Sequence, residues 1–162
     1  MFVNFESLVD TSRVWIYQSN REFLDTEITK INEILTNFID RWNNHGDGLK
    51  SSFIIKYNQF IILAVDEDDT NASGCSIDSS VQVIKKIESE FDVNLFDRMK
   101  TAFKIGEHIN LVSMIDFQKY VKEAKITKDT IVFNNMVNTK GDFKTAWETE
   151  AQNSWHTRFF NN

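Results

Sequence analysis

A lone thiol is the most reactive side chain in this sequence, and its setting favours chemistry. Cys75 stands in Ser73-Gly74-Cys75-Ser76-Ile77-Asp78, shortly after the apolar run Phe60 to Val65 and at the expected start of a helix. Backbone N–H groups and the positive end of a helix dipole at such a point favour thiolate over thiol. A nucleophilic thiol also needs a base. The imidazoles on offer are His45, His108 and His156. A thiol-dependent enzyme would use Cys75 as nucleophile, His156 as base and the amides near Cys75 to stabilise an anion. The competing reading is a small buried packing residue, the commonest fate of free cysteine. Projected along the expected helix, Cys75 and Ser79 fall nearly opposite the Ile77/Val81/Ile84 stripe.

Two further sets can bind rather than react. Ser73, Gly74, Ser76 and Asp78 with the helix N-terminus form a candidate cradle for a small anionic ligand such as a phosphate or carboxylate. Near the C-terminus, Asn134, Asn135, Lys140, Trp147, Trp155, His156 and Arg158 combine the residue types that recur at recognition surfaces. The same residues also suit an aromatic hairpin and tail completing a core. The acidic run Asp66-Glu67-Asp68-Asp69 reads as a solvated loop. It does not fit the calcium-loop pattern, because the sixth position from Asp66 is Asn71 rather than glycine. No metal or cofactor is expected. Neither G-x-x-x-x-G-K-[ST] nor G-x-G-x-x-G occurs, so P-loop ATP hydrolysis has no support.

These groups need elements to hold them. Arg13 to Tyr17 is rich in β-branched and aromatic residues and predicts a strand. From Asp25, the residues Ile28, Ile31, Ile34, Leu35, Phe38, Ile39 and Trp42 recur at helical spacing, ending near His45 with Gly46 as a left-handed cap. Leu49 to Tyr57 alternates as a strand, Asn58-Gln59 reads as a tight turn, and Phe60 to Val65 is apolar throughout. Such a strand is covered on both faces and lies centrally in its sheet. A second helix runs from about Ser76 to Phe91 with the stripe Ile77, Val81, Ile84, Ile87 and Phe91. Met99 to Ile105 and His108 to Val112 form a hairpin about Gly106-Glu107, a turn of the glycine-first type. Ser113 and Asp116 cap a third helix, with Val112 and Phe117 as its hydrophobic staple. Ile131 to Val137 and Phe143 to Trp147 read as a final strand pair. Residues 1–12 are a lead-in, and the tail from Asn153 to Asn162 carries enough aromatic surface to dock on the body.

Several of these segments carry a family resemblance: Val14-Trp15-Ile16-Tyr17-Gln18-Ser19-Asn20-Arg21, Ala72 to Asp78, Val132-Phe133-Asn134-Asn135, and Ser154-Trp155-His156 with Arg158. The chain resembles, over most of residues 13–158, a family of small bacterial proteins of unknown function, some labelled "ABC transporter ATPase". The resemblance implies a soluble single-domain protein, and it implies no catalytic residue.

Length and composition set the remaining bounds. The chain has 162 residues, 41% hydrophobic and 13% aromatic, enough for one domain with its own core. Its 24 acidic and 18 basic residues give a net charge of −6, without the basic face that nucleic acid requires. One cysteine excludes an internal disulfide and favours the cytosol. The longest apolar run, 6 residues, falls far short of the roughly 20 that span a bilayer. Strands arrive in hairpin pairs separated by helices, which predicts a single α+β domain, 1–162. It would have three main helices and a mixed or antiparallel sheet of about five to seven strands. The sequence-based expectation for function is a small-ligand or protein binding module around Ser73 to Asp78. The alternatives are the thiol enzyme and a structural, oligomerising partner. Sequence does not define the oligomeric state.

Overall fold

The computed structural model describes residues 1–44, 47–67 and 72–161. Packing divides them into two compact units, Met1–Phe96 with Asn138–Gly141, and Asp97–Val137 with the residues from Asp142 onward. The fold is α+β, and its two main sheets, of three and four strands, are both antiparallel. The strands thus divide between two sheets where the sequence suggested one. No helix among the described residues is long and apolar enough to cross a membrane.

The first unit contains β1 (Arg13–Gln18), α1 (Asp25–Arg41), a ribbon of β2 (Asn43–Asn44) and β3 (Asp47–Gly48), β4 (Ser51–Lys56), β5 (Phe60–Val65) and α2 (Gly74–Phe91). Its sheet has the order β1-β5-β4, so the all-apolar strand is central, with every residue of β5 fully buried. Alternation sends Ile61, Leu63 and Val65 into one core cluster with Ile31, Leu35 and Ile39 of α1 and Ile84, Ile87 and Phe91 of α2. The β4–β5 turn falls one residue earlier than the sequence suggested. Tyr57 and Asn58 take the left-handed backbone (φ 54° and 52°), and Gln59 N–H closes the turn on Lys56 O at 3.0 Å. That double-positive geometry matches the right-handed twist of the strands, and asparagine tolerates it.

Helix α1 ends at Arg41, short of the expected His45, because Trp42 turns to extended backbone (ψ 123°) and the chain enters β2. His45 and the expected cap Gly46 lie outside the described residues, as do Asp68 to Asn71 and Asn162. Helix α2 starts two residues earlier than expected. Ser73 is its N-cap, its hydroxyl accepting from Ser76 N–H at 3.1 Å. Its buried face is Ser76, Ser80, Ile84, Ile87 and Phe91, whereas Ile77 and Val81 are only half-buried. The stripe therefore begins with serines. The Ser80 hydroxyl is satisfied by Ile77 O at 2.6 Å. Lys140, also in this unit, is buried and donates from Nζ to Glu6 O at 2.9 Å and Leu8 O at 2.5 Å. It fixes the lead-in, where Phe5–Ser7 forms a 3-10 turn.

The second unit contains β6 (Lys100–Ile105), β7 (His108–Ser113), α3 (Met114–Lys122), β8 (Ile131–Phe133), most of α4 (Lys140–Ala146) and β9 (Glu148–Glu150). Its sheet has the order β7-β6-β8-β9. Gly106 (φ 59°) supplies the positive dihedral of the expected glycine-first turn, with Ile105 paired to His108. The Ser113 hydroxyl caps α3 by accepting from Asp116 N–H at 3.1 Å, and Val112 packs with the buried Phe117 as the staple predicts. Phe143 to Ala146 is helical, not the strand that the sequence reading gave. Phe143 and Trp147 are four apart, a spacing that lies on one face in either periodicity; their rings meet at 4.9 Å, and Trp147 also packs on Phe133 at 4.9 Å. The last strand is instead β9, paired with β8.

Candidate functional site

Helices α1 and α2 run antiparallel. The Trp42 indole at the end of α1 donates to Ser76 O at 2.9 Å near the start of α2. At the other end, Arg21, which forks onto Glu27 in the first turn of α1, donates to Phe91 O at 2.7 Å. Between the two helices lies an open groove of about 750 Å³. Ile34 and Phe38, one turn apart on α1, Trp42 just past its end and Val83 of α2 give it an apolar floor. Ser73, Cys75, Ser76 and Ser79 line one end together with Arg41, and Gln82 and Lys86 continue along α2. Two cations and no carboxylate line it among the described residues, in a chain of net charge −6.

The sequence-predicted cradle sits at the serine end of this groove. Cys75 is exposed. The Ser73 and Ser76 hydroxyls lie 3.0 Å apart, so much of their capacity serves the cap. The amides of Gly74 and Cys75 make no hydrogen bond among the described residues, as expected for the first two helical donors. Ser79 Oγ donates to Cys75 O at 2.9 Å. Asp78 is exposed and lies outside the groove lining. Of the acidic run, Glu67 pairs with Arg13 at 3.8 Å and accepts from Ala72 N–H at 3.2 Å, fixing the entry to α2.

Apart from Lys140, the C-terminal set belongs to the second unit. Trp155 stacks on His156 at 3.9 Å, and the Arg158 guanidinium lies 4.9 Å over Trp155 and 5.1 Å from Phe159. His156 is fully buried, with Nδ1 2.7 Å from Ser154 Oγ and its ring against Phe117. Burial first, and then the Arg158 charge, push its pKa down to about 4, so the ring is neutral. Asn135 Oδ1 accepts from Trp147 Nε1 at 2.9 Å, and Asn134 Oδ1 accepts from Met136 N–H at 3.1 Å. Gln118 Nε2 donates to Phe159 O at 3.0 Å, which ties the final 3-10 helix Trp155–Phe159 to α3. Cys75 and His156 fall in different units, and each is held by neighbours of its own.

Sequence reasoning found the serine end of the groove and missed its floor. Ile34, Phe38 and Trp42 read there as core. The signal that marks them is width: α1 carries six apolar positions, but its fully buried line is only Ile31, Leu35 and Ile39. Ile34 and Phe38 are the flank left half-covered.

An antiparallel α+β protein with a helix–helix groove is the class that this fold and site define. In comparisons with known proteins, no family model, no curated protein and no solved structure matches the chain.

Proposed function

We propose that this is a cytosolic small-molecule binding protein whose site is the α1–α2 groove. Its ligand is an amphipathic organic acid. The carrying observation is the groove lining: an apolar floor of Ile34, Phe38, Trp42 and Val83, flanked by the cations Arg41 and Lys86, with no carboxylate among the described lining residues. Its volume of about 750 Å³ matches an ordinary ligand site, where apolar walls supply affinity and few polar groups fix orientation. The anionic head would sit by Arg41, beside the N-terminus of α2, where helix dipole and amides add to the cation. The apolar body would lie along Phe38 toward Ile34 and Val83. One unpaired, exposed cysteine supports a reducing compartment.

Anilinonaphthalene sulfonate, an anionic aromatic probe, tests the reading by fluorescence titration. The expected result is saturable binding at one site, weakened about tenfold by Arg41→Ala and also by Phe38→Ala. Non-saturable binding, or binding that ignores both substitutions, overturns it.

A further inference from the structure

Among the described residues, the two cations that line the α1–α2 groove stand at its opposite ends. The Trp42 indole bonds Ser76 O, so Arg41, in the last turn of α1, is level with the first turn of α2. The far end of the helix pair is fixed by Arg21, which holds Glu27 of α1 and Phe91 O of α2 together. At a rise of about 1.5 Å per residue, Lys86 lies about 15 Å farther along α2 than Ser76. Side chains on a helix lean toward its N-terminus. In an antiparallel pair, Arg41 and Lys86 therefore lean toward one another over the groove. Between them the lining is Ile34, Phe38 and Val83, with the uncharged amides of Asn37 and Gln82. Lys86 is exposed and makes no salt bridge among the described residues.

A ligand with a single acidic head satisfies Arg41 and sets its apolar tail against the charge of Lys86. We propose, resting on the groove as the binding site, that the ligand carries an anionic group at each end of an apolar chain, as an α,ω-dicarboxylic acid does. One head pairs with Arg41 beside the start of α2. The other pairs with Lys86, and the chain between them lies on Phe38, Ile34 and Val83. Two charges at a fixed spacing select length as well as charge. A shorter diacid reaches one cation and leaves its second carboxylate over apolar floor, where an unpaired charge is unfavourable. The apolar stretch supplies affinity, and the two end contacts set orientation and reach.

Displacement of anilinonaphthalene sulfonate by three acids tests this. Dodecanedioate spans the two cations, dodecanoate has the same chain with one head, and hexanedioate is too short to span. Dodecanedioate should bind about threefold or more tightly than dodecanoate, the scale of one exposed ion pair, and hexanedioate should bind weakest. Lys86→Met keeps the apolar stem and removes the charge, so the preference for dodecanedioate over dodecanoate should vanish. Lys86→Glu should reverse it, and Arg41→Ala should weaken both acids. Dodecanoate binding as tightly as dodecanedioate to the wild-type chain overturns the two-headed ligand and leaves the groove reading standing. So does a preference that survives both substitutions of Lys86. Failure of all three acids to displace the probe overturns the organic-acid reading of the groove, and this inference with it.

Discussion

The Trp42 indole donates to the Ser76 backbone carbonyl at 2.9 Å, a buried bond that ties the end of α1 to the first turn of α2. Both residues line the groove, so the same contact that sets the helix separation also shapes the proposed site. Trp42 further packs on Phe38 at 5.0 Å and Trp15 at 6.3 Å. It belongs to the core by its ring and to the groove by its edge.

Separating those two roles gives a first prediction. Trp42→Phe keeps most of the apolar contact and removes the donor. It should cost about 1 kcal/mol in urea unfolding, the net worth of one such bond. Trp42→Ala removes the ring as well and should cost about 3–5 kcal/mol. Similar losses for both would mean that the hydrogen bond, and not the ring, holds the helices.

Arg21 and Glu27 give a pH prediction. Their fork, 2.8 and 2.9 Å, holds the Glu27 carboxyl down to about 2, helped by the Leu24 N–H at 2.8 Å. The folded value lies below the unfolded one near 4.3. The stabilisation is therefore complete above that value and fades as pH falls toward about 2. With the Arg21 side chain 38% exposed, screening limits the effect to about 1 kcal/mol. Glu27→Gln should be less stable at neutral pH and should converge with wild type near pH 2 in acid unfolding.

Strands and long helices were legible because their side chains repeat with one period. Phe60 to Val65 is apolar at every step, and only a strand covered on both faces suits such a run. Phe143 and Trp147 were misread because a spacing of four fits both periods, and the contact of Trp147 with Phe133 depends on chain well upstream of the pair. Sequence gave no sign that Gln18-Ser19-Asn20-Arg21 is a junction. Ser19 exchanges bonds with Gln59, Asn20 with Asn94, and Arg21 reaches Phe91, all residues distant in sequence. The groove was half legible: a helix start announces itself locally, but the uncovered flank of α1 depends on what the fold leaves bare.

His156 also costs stability as pH falls, but because the fold keeps its neutral form. A buried ring held down to about 4 is neutral in the folded protein, whereas the unfolded ring takes a proton near 6.5. Stability should therefore fall as pH drops from about 6.5 to about 4 and then level off. The loss is on the order of 3 kcal/mol. His156→Phe should abolish this segment of the stability–pH curve, and a curve unchanged by the substitution would reassign it to another group.

Lys140 tests how the lead-in is held. Its buried Nζ supplies the donors for Glu6 O and Leu8 O. Lys140→Met keeps the stem and leaves two carbonyls short of a donor. The expected cost is about 2–3 kcal/mol. Hydrogen exchange should quicken at Leu8, whose amide bonds Phe5 O at 3.2 Å, before it quickens in β5. Uniform loss of protection would instead make the lead-in part of the global folding unit.

Cys75 links reactivity to the groove. Its thiol is exposed and lines the end where Ser73, Ser76 and Ser79 gather. A maleimide reagent should therefore label Cys75 in the native protein, about as fast as in urea, because no unfolding step gates access. The attached group would lie in the groove mouth, beside the place proposed for the ligand's anionic head. Labelling should weaken anilinonaphthalene sulfonate binding, and bound probe should slow labelling. Protection of Cys75 until the chain unfolds would contradict the exposed position. Free labelling with no effect on probe binding would move the ligand away from the serine end, toward Ile34, Val83 and Lys86.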